Sequence, residues 1–170
     1  MILVALGSNL HSARQGPPLA TLEWSLLRLR AAGLSIEARS PWYESAPVPP
    51  SGQPWFLNGV VRLAAAPSPG RLLTLMHQIE VAAGRRRAEA NAARPLDLDL
   101  IDFDGRISLP GAWPVLPHPR LTLRAFVLLP LADVAPSWHH PWTGQGLAEL
   151  MAALPPDQLC RPLQGRGKGL

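Results

Sequence analysis

The pattern of apolar and polar positions near the start of the chain predicts a strand and then a helix. Residues 2–6 form a short apolar run closed by Gly7-Ser8-Asn9, which is typical of a buried strand followed by a turn. Pro17 and Pro18 can begin a helix, and Gly33 is a favourable residue to end it. The helical spacing between them is carried by Leu19, Leu22, Leu26 and Leu29.

The next part of the chain predicts two strands separated by a loop, and then a second helix. Residues 34–43 alternate in an extended pattern, and the stretch 45–54 contains four prolines, so it is predicted to be a loop. Residues 56–64 are rich in branched apolar side chains and favour a strand. Ser68 ahead of Pro69 is a good helix start, and the apolar face that follows it ends at Gly84.

Further elements are predicted after the second helix. Residues 96–103 read as a strand, and Asp104-Gly105 is a strong signal for a hairpin turn. A third helix is predicted over residues 124–134, broken or bent at Pro130. A short last helix is predicted over residues 147–154.

This order of elements is the βαββαβ pattern of an α+β ferredoxin-like sandwich, followed by additional C-terminal elements. The chain has 170 residues, which is enough for one buried core, and it contains no internal repeat or separating linker. We therefore expect a single domain over residues 1–170. Residues 155–170 are basic and contain glycine, and we expect them to form a flexible tail.

The composition indicates a soluble globular protein of the cytoplasm. Hydrophobic residues make up 47% of the chain and charged residues 16%, and no apolar run approaches the roughly 18 residues of a membrane helix. The apolar start lacks a basic region, so no signal peptide is expected. Cys160 is the single cysteine, so an internal disulfide is excluded. The net charge of +4 implies only a mild preference for anions.

The sharpest chemical feature is the pair Asp97 and Asp99 within the strand predicted at 96–103. In a strand their carboxylates share one face, while Leu96, Leu98 and Leu100 share the other. Oxygen ligands at this spacing suit Mg²⁺, which keeps waters and completes its shell with substrate phosphates. Two solvated aspartates on an ordinary half-exposed strand are the alternative interpretation.

Basic residues around this pair favour phosphate chemistry. Arg85, Arg86 and Arg87 precede it, Arg94 stands immediately before it, and Arg124 lies further along the chain. Carboxylates that hold Mg²⁺ beside guanidinium groups that grip phosphate oxygens are the parts that phosphoryl transfer needs. A solvated basic loop is the alternative for the arginine triplet.

Three further segments are candidates for binding or packing. His118 lies between two prolines and can donate a hydrogen bond to a phosphate or ribose, and a loop histidine without function is the alternative. Phe56 and Asn58 share one face of a predicted strand, which suits a flat polar heterocycle, although an aromatic residue there can also be core. The segment 138–142, Trp-His-His-Pro-Trp, is interpreted as a packed surface loop rather than a metal site.

Taken together, these segments resemble the 6-hydroxymethyl-7,8-dihydropterin pyrophosphokinase family. The resemblance runs in the same order from about Met1 to Ala135, and its most specific part is the block 94–99 with the downstream Pro117-His118. The other matching blocks are residues 5–10, 43–47, 53–58, 80–85 and 124–126.

The resemblance implies an enzyme that transfers the diphosphate of ATP to a pterin hydroxymethyl group and releases AMP. It implies that Asp97 and Asp99 bind two Mg²⁺ ions and that Arg85 and Arg94 are catalytic, phosphate-gripping residues. The implied ATP contacts are Arg87, His118 and Arg124. The implied pterin contacts are Ser45, Val48, Phe56, Asn58 and Phe126. We expect ATP and the pterin as partners, no nucleic acid and no membrane, and a monomeric protein.

The chain also departs from the family pattern. The loop 88–93 is about one residue shorter than expected and lacks an aromatic residue that often covers the pterin. Trp113 stands where another basic ATP contact is expected, and Pro119 stands where a tyrosine often follows the histidine. Phe56 replaces a common tyrosine. These changes affect loop closure and ATP affinity more than the metal site.

Two other functions are compatible with parts of the sequence. Ferredoxin-like sheets with aromatic and arginine side chains also bind single-stranded RNA, but Asp97 and Asp99 would repel its backbone. A homologue that has kept the fold and lost activity is the second alternative. The short 88–93 loop favours it, whereas the presence of Arg85, Arg94 and His118 opposes it.

Overall fold

The structure is a computed structural model that describes residues 1–85 and 92–164. The strands in this part of the chain are β1 (Ile2–Ser8), β2 (Ile36–Arg39), β3 (Tyr43–Ser45), β4 (Phe56–Leu63), β5 (Asp97–Phe103) and β6 (Cys160–Pro162). The helices there are α1 (Pro18–Ala31), α2 (Pro69–Ala82), α3 (Ala125–Val134) and α4 (Leu147–Ala152), with a 3₁₀ turn at Leu121–Leu123.

The strands form an antiparallel sheet in the order β5-β1-β4-β3-β6, and β2 also pairs with β4. This arrangement confirms the predicted βαββαβ fold, except that the predicted second strand is divided into β2 and β3. Pro41, which has no N–H to donate, lies between the two pieces. The Trp42 ring then packs over Gly59, where a Cβ atom would lie 2.7 Å from the ring.

Each face of the sheet carries its own hydrophobic core, because successive strand residues point to opposite faces. On one face α1 and α2 cover the leucines of β5, and on the other face α3 and α4 cover the second core. The first core includes Val4, Leu6, Leu22, Leu26, Leu72, Met76 and Leu98. The second includes Leu3, Val60, Ile101, Leu128, Leu131 and Leu150.

The helix boundaries follow the predicted signals. Ser68 caps α2 by accepting a hydrogen bond from the Arg71 backbone N–H at 3.4 Å. Gly84 follows α2 with a φ of +94°, a conformation that glycine adopts without a Cβ penalty. Helix α3, which was predicted to be broken or bent at Pro130, runs through that residue without a break. Pro130 is buried, and packing of this helix on the sheet offsets the one hydrogen bond that the proline removes.

The structure corrects two local predictions, those for Asp104-Gly105 and for the C-terminal tail, and agrees with a third. Asp104-Gly105 forms a turn with positive φ at both residues, but the next described element is the 3₁₀ turn at Leu121–Leu123, so no hairpin partner strand follows it directly. The tail expected after Pro155 is not simply frayed, because Cys160–Pro162 is β6 and pairs with β3. The segment 138–142 is a packed surface loop as predicted: Trp138 is buried and its indole N–H donates to Asp102 at 2.6 Å, whereas Trp142 is exposed.

Within residues 1–85 and 92–164, no helix has both the length and the apolar character needed to span a lipid bilayer.

Candidate active site

A cleft of about 590 Å³ opens at the end of the sheet, on the face that α3 covers. Its floor is one row of the sheet, in which Gly7 of β1 lies between Asp97 of β5 and Asn58 of β4. A Cβ atom on Gly7 would lie 3.3 Å from the Asn58 side-chain oxygen, so a larger residue would fill the floor. A cleft of this size accommodates small organic substrates.

Asp97 and Asp99 point into the cleft, whereas Leu96, Leu98 and Leu100 are buried in the core behind them. This confirms the predicted alternation along β5. Burial, followed by the neighbouring charge of Asp97, raises the pKa of Asp99 to about 6. Two adjacent carboxylates of this kind are stabilised by a cation placed between them.

The donor set of this pair fits a hard divalent cation. Among the described residues, no further histidine, cysteine or acidic side chain joins Asp97 and Asp99 as a metal-binding cluster. Two carboxylates alone leave most of a six-coordinate shell to water and substrate oxygens, which is how Mg²⁺ is usually held. The residues therefore suit Mg²⁺ with phosphates better than a metal held entirely by protein.

Three arginines are paired with the two carboxylates. Arg85 Nη1 lies 2.6 Å from Asp97 Oδ1, and Arg94 Nη1 lies 3.2 Å from the same oxygen. Arg124 Nη1 lies 3.5 Å from Asp99 Oδ2. Because guanidinium groups bind phosphate and carboxylate oxygens alike, these side chains are placed to exchange a carboxylate for an incoming phosphate.

Glu80 supports the arginine side of the site from α2. Its carboxylate accepts a hydrogen bond from the Leu98 backbone N–H at 2.7 Å and another from Arg85. Burial raises the pKa of Glu80 to about 7, opposed by the Leu98 hydrogen bond and the Arg85 charge. Sequence reasoning missed this role, although an acidic residue beside the apolar stripe of α2 was a usable signal.

Asn9 fixes the position of Arg94 at the other side of the carboxylates. Its side-chain oxygen accepts from the Arg94 backbone N–H at 2.8 Å, and its backbone N–H donates to the Arg94 carbonyl at 3.2 Å. The Asn9 side-chain NH₂ donates to the Pro54 carbonyl at 3.1 Å. Asn9 therefore ties the turn after β1 to the segments on both sides of the cleft.

His118 stands beside Asp99 as a neutral ring. Its Nε2 lies 3.8 Å from Asp99 Oδ2, and its Nδ1 accepts a hydrogen bond from the Arg120 backbone N–H at 3.2 Å. Burial, followed by the Arg124 charge, lowers the pKa of His118 to about 4. The proton of the neutral ring is therefore on Nε2, which faces the carboxylate side of the site.

Arg120 lines the cleft as well, although the sequence interpretation did not single it out. It is two residues from His118 and four from Arg124, and its charge lowers the pKa of both. The described arginines that line the cleft are Arg85, Arg94, Arg120 and Arg124. Together they outnumber the two aspartates, so the cleft favours a polyanion.

The opposite end of the cleft is less charged and suits a planar ligand. Asn58 donates a hydrogen bond from its side-chain NH₂ to Ser45 Oγ at 2.9 Å, and both residues are buried. Phe56 and Phe126 line the cleft beside them, and so does Val48. The predicted residues for the heterocycle thus lie together, with aromatic faces next to an oriented amide.

Three residues singled out by the sequence are not among the described residues that line the cleft. Trp113 is 60% exposed and faces α2, where its ring lies 6.5 Å from the His77 ring. Arg87 lies outside the described residues, as does most of the short 88–93 loop. His118 also does not line the cleft itself, although it contacts Asp99 from behind.

Comparison with known proteins agrees with this geometry. The sequence profile of the family described as 7,8-dihydro-6-hydroxymethylpterin-pyrophosphokinase (HPPK) matches residues 3–136. A Synechocystis protein named 2-amino-4-hydroxy-6-hydroxymethyldihydropteridine pyrophosphokinase is 40% identical over 150 residues, which cover 88% of this chain and 73% of that protein. A Pseudomonas aeruginosa protein of the same name is 39% identical over 155 residues, which cover 91% of both chains.

The fold is also similar to solved structures. The HPPK-DHPS structure of Plasmodium falciparum superposes with a TM-score of 0.66 at 14% sequence identity. The alignment covers 89% of this chain and 44% of that one, so the chain spans less than half the length of that solved protein. At this identity the likeness supports the fold alone.

Proposed function

The chain belongs to the 7,8-dihydro-6-hydroxymethylpterin-pyrophosphokinase family, and we propose that its cleft performs the family's reaction with Mg²⁺ bound at Asp97 and Asp99. The activity is the transfer of the diphosphate of ATP to the hydroxymethyl group of 6-hydroxymethyl-7,8-dihydropterin, with release of AMP, in folate biosynthesis. ATP is the co-substrate. The remaining statements concern which residues of this chain carry the steps.

Asp97 and Asp99 hold the metal in this proposal. Two Mg²⁺ ions bound there would supply Lewis-acid charge that offsets the charge of the triphosphate and polarises the incoming hydroxyl. The two side chains share one face of β5, and their mutual repulsion favours cation binding. This juxtaposition at the arginine-lined end of the cleft is the observation that carries the proposal.

Arg85 and Arg94 neutralise the transferred diphosphate. Both contact Asp97. A change of side-chain rotamer would therefore bring either arginine to a phosphate that is bound to the Mg²⁺ at Asp97. Phosphoryl transfer needs little covalent help from the protein, and catalysis comes from positioning and from charge stabilisation. Arg124 contacts ATP on the Asp99 side, and His118 and Arg87 are assigned to ATP from the family resemblance.

The pterin occupies the less charged end of the cleft. Phe56 and Phe126 supply the aromatic faces, and Asn58, held by Ser45, reads the polar edge of the ring. Val48 also lines this end of the cleft. The ring thus presents its hydroxymethyl group toward Asp97, which shares the sheet row of Asn58.

We propose a monomer in the cytoplasm with no nucleic-acid partner. The single thiol, Cys160, is consistent with a reducing compartment, and burial raises its pKa to about 11. The cleft of about 590 Å³ has the size of a small-molecule site, which supports small anions over RNA.

Binding of a non-hydrolysable ATP analogue tests the site assignment. The wild-type protein should bind the analogue with Mg²⁺ and lose most of that affinity with chelator, because the phosphates and Asp97 share the cation. The Asp97→Asn and Asp99→Asn variants should bind it equally weakly in both conditions. Mg²⁺-dependent binding that survives in both variants would place the metal elsewhere.

A further inference from the structure

Gln158, near the C-terminal end of the described chain, bonds to the peptide groups on both sides of Arg124. Its side-chain oxygen accepts a hydrogen bond from the Ala125 N–H at 2.8 Å. Its side-chain NH₂ donates to the Leu123 carbonyl at 2.7 Å. The two bonds need opposite ends of the amide, so they fix its orientation.

Arg124 cannot accept the hydrogen bond of the Ala125 N–H itself. It is the N-cap of α3 and makes no side-chain cap, because a guanidinium group has only donors. The N–H groups in the first turn of a helix have no partner within that helix. At φ −127° and ψ 107°, Arg124 also stands in an extended conformation between the 3₁₀ turn and α3. Gln158 supplies the missing acceptor from a distant part of the sequence.

Gln158 is itself held by the sheet. The Leu159 carbonyl that follows it accepts from the Ala46 N–H at 3.0 Å, and β6 then pairs with β3. Strand β3 carries Ser45, which fixes the Asn58 amide. The C-terminal segment therefore joins the wall that binds the planar ligand to the wall that carries Arg124.

We propose that Gln158 is a positioning residue for Arg124, and so for ATP binding. The inference rests on the proposed contact between Arg124 and ATP. The Arg124 guanidinium lies 3.5 Å from Asp99 Oδ2, and its carbon atom lies 5.3 Å from the Phe126 ring centroid. Fixing both flanking peptides fixes the direction in which this side chain leaves the backbone. Misplacement of a binding group by about 1 Å can cost up to about 100-fold in rate.

The test is a double-mutant cycle on the KM for ATP. Gln158→Ala should raise that KM about tenfold when Arg124 is present. In an Arg124→Ala background the same substitution should have no further effect, because the residue through which it acts is absent. Gln158→Glu, which keeps the acceptor for the Ala125 N–H and loses the donor, should give an intermediate KM. It also replaces Gln158→Ala in the cycle if that variant does not fold.

Arg161→Ala is the matched control. Arg161 lies in β6, and its side chain pairs with Glu44 at 2.5 Å and lies over the Trp55 ring rather than bonding to residues 123–125. The control loosens the same segment and should leave the KM for ATP unchanged, while melting temperatures report on stability for every variant.

Equal effects of Gln158→Ala in the two backgrounds, or no effect in the first, would overturn the inference while leaving the ATP contact of Arg124 in place. An unchanged KM in Arg124→Ala alone would contradict the ATP contact itself, and the assignment of Gln158 would fall with it.

Discussion

Arg85 donates a hydrogen bond to Asp97 at 2.6 Å, so the proposed phosphate-binding arginine is paired with the proposed metal ligand. The positive charge of Arg85 therefore competes with a cation for the same carboxylate. When Mg²⁺ and the triphosphate bind together, Arg85 can move from Asp97 to a phosphate oxygen without losing a charged partner. If Arg85 exchanges partners in this way, removing it should change the affinity of the site for a divalent cation. A purely structural ion pair would not compete with a cation.

Arg85→Ala should bind a divalent cation more tightly than the wild type in the absence of nucleotide. Removing the competing charge leaves Asp97 free for the metal, and titration with Mn²⁺ as the probe measures the change. The same variant should lose about 100-fold in turnover, because a preorganised charge contact to the phosphate is gone. Arg85→Lys keeps the charge and should bind Mn²⁺ close to the wild-type affinity. Weaker Mn²⁺ binding in Arg85→Ala would contradict the competition.

Asp99→Asn should abolish transfer while leaving the free energy of unfolding unchanged or higher at neutral pH. Burial and the Asp97 charge disfavour the ionised Asp99 carboxylate, so a neutral amide of the same shape relieves repulsion. Chemical denaturation measures stability, and AMP release measures transfer. Asp157→Asn, at an exposed position, is the control and should be unaffected in both. Retained turnover in Asp99→Asn would rule out the metal assignment.

Gly7→Ala should raise the KM for the pterin about tenfold and change the KM for ATP little. The added Cβ would lie 3.3 Å from the Asn58 side-chain oxygen and would displace the amide that reads the ring edge. Gly70→Ala is a matched control. Its added Cβ would also lie 3.3 Å from its nearest neighbour, the Trp113 ring, which does not line the cleft. Steady-state kinetics on both substrates check the result. An equal rise in the pterin KM for both variants would point to general crowding.

Tyr43 should ionise only near pH 12 in the folded protein. Its hydroxyl donates to Asp133 at 2.8 Å, and burial, followed by this bond, raises the pKa of Tyr43 to about 12 from its ordinary 10. A raised folded-state pKa means that the stabilisation is complete below pH 10 and is lost as the pH rises toward 12. Because Tyr43 is the single tyrosine, tyrosinate absorbance in native and unfolded protein measures both midpoints.

Tyr43→Phe should lower the free energy of unfolding by about 1 kcal/mol at neutral pH, since Asp133 loses a hydrogen-bond donor. The difference from the wild type should shrink above pH 10, where the tyrosine of the unfolded wild-type chain begins to lose its proton while the folded one keeps it. A native midpoint near pH 10 would show that the bond to Asp133 does not hold in solution.

The sequence alone was sufficient to predict the features that follow from local pattern. The alternation along β5 placed Asp97 and Asp99 on one face because strand geometry has a period of two, and the structure agrees. The cap at Ser68 was also predictable, because it depends only on residues that are close to it in the sequence.

The features that the sequence did not reveal depend on contacts between distant segments. Asn9 reaches Arg94 across 85 positions of the chain, and Gln158 reaches Leu123 across 35. No local pattern distinguishes these amides from solvated ones. The strand β6 was missed likewise, because three residues gain strand structure only by pairing with β3. Propensity in so short a segment cannot outweigh its tertiary context.

Release of AMP from ATP tests the central claim most directly. The assay is run with and without 6-hydroxymethyl-7,8-dihydropterin, at millimolar Mg²⁺ and again with chelator, on the wild type and on Asp97→Asn. We predict AMP only when the pterin, Mg²⁺ and Asp97 are all present, because the carboxylate holds the cation that the diphosphate needs. AMP formation that persists with chelator or in Asp97→Asn would contradict the proposed metal site at Asp97 and Asp99.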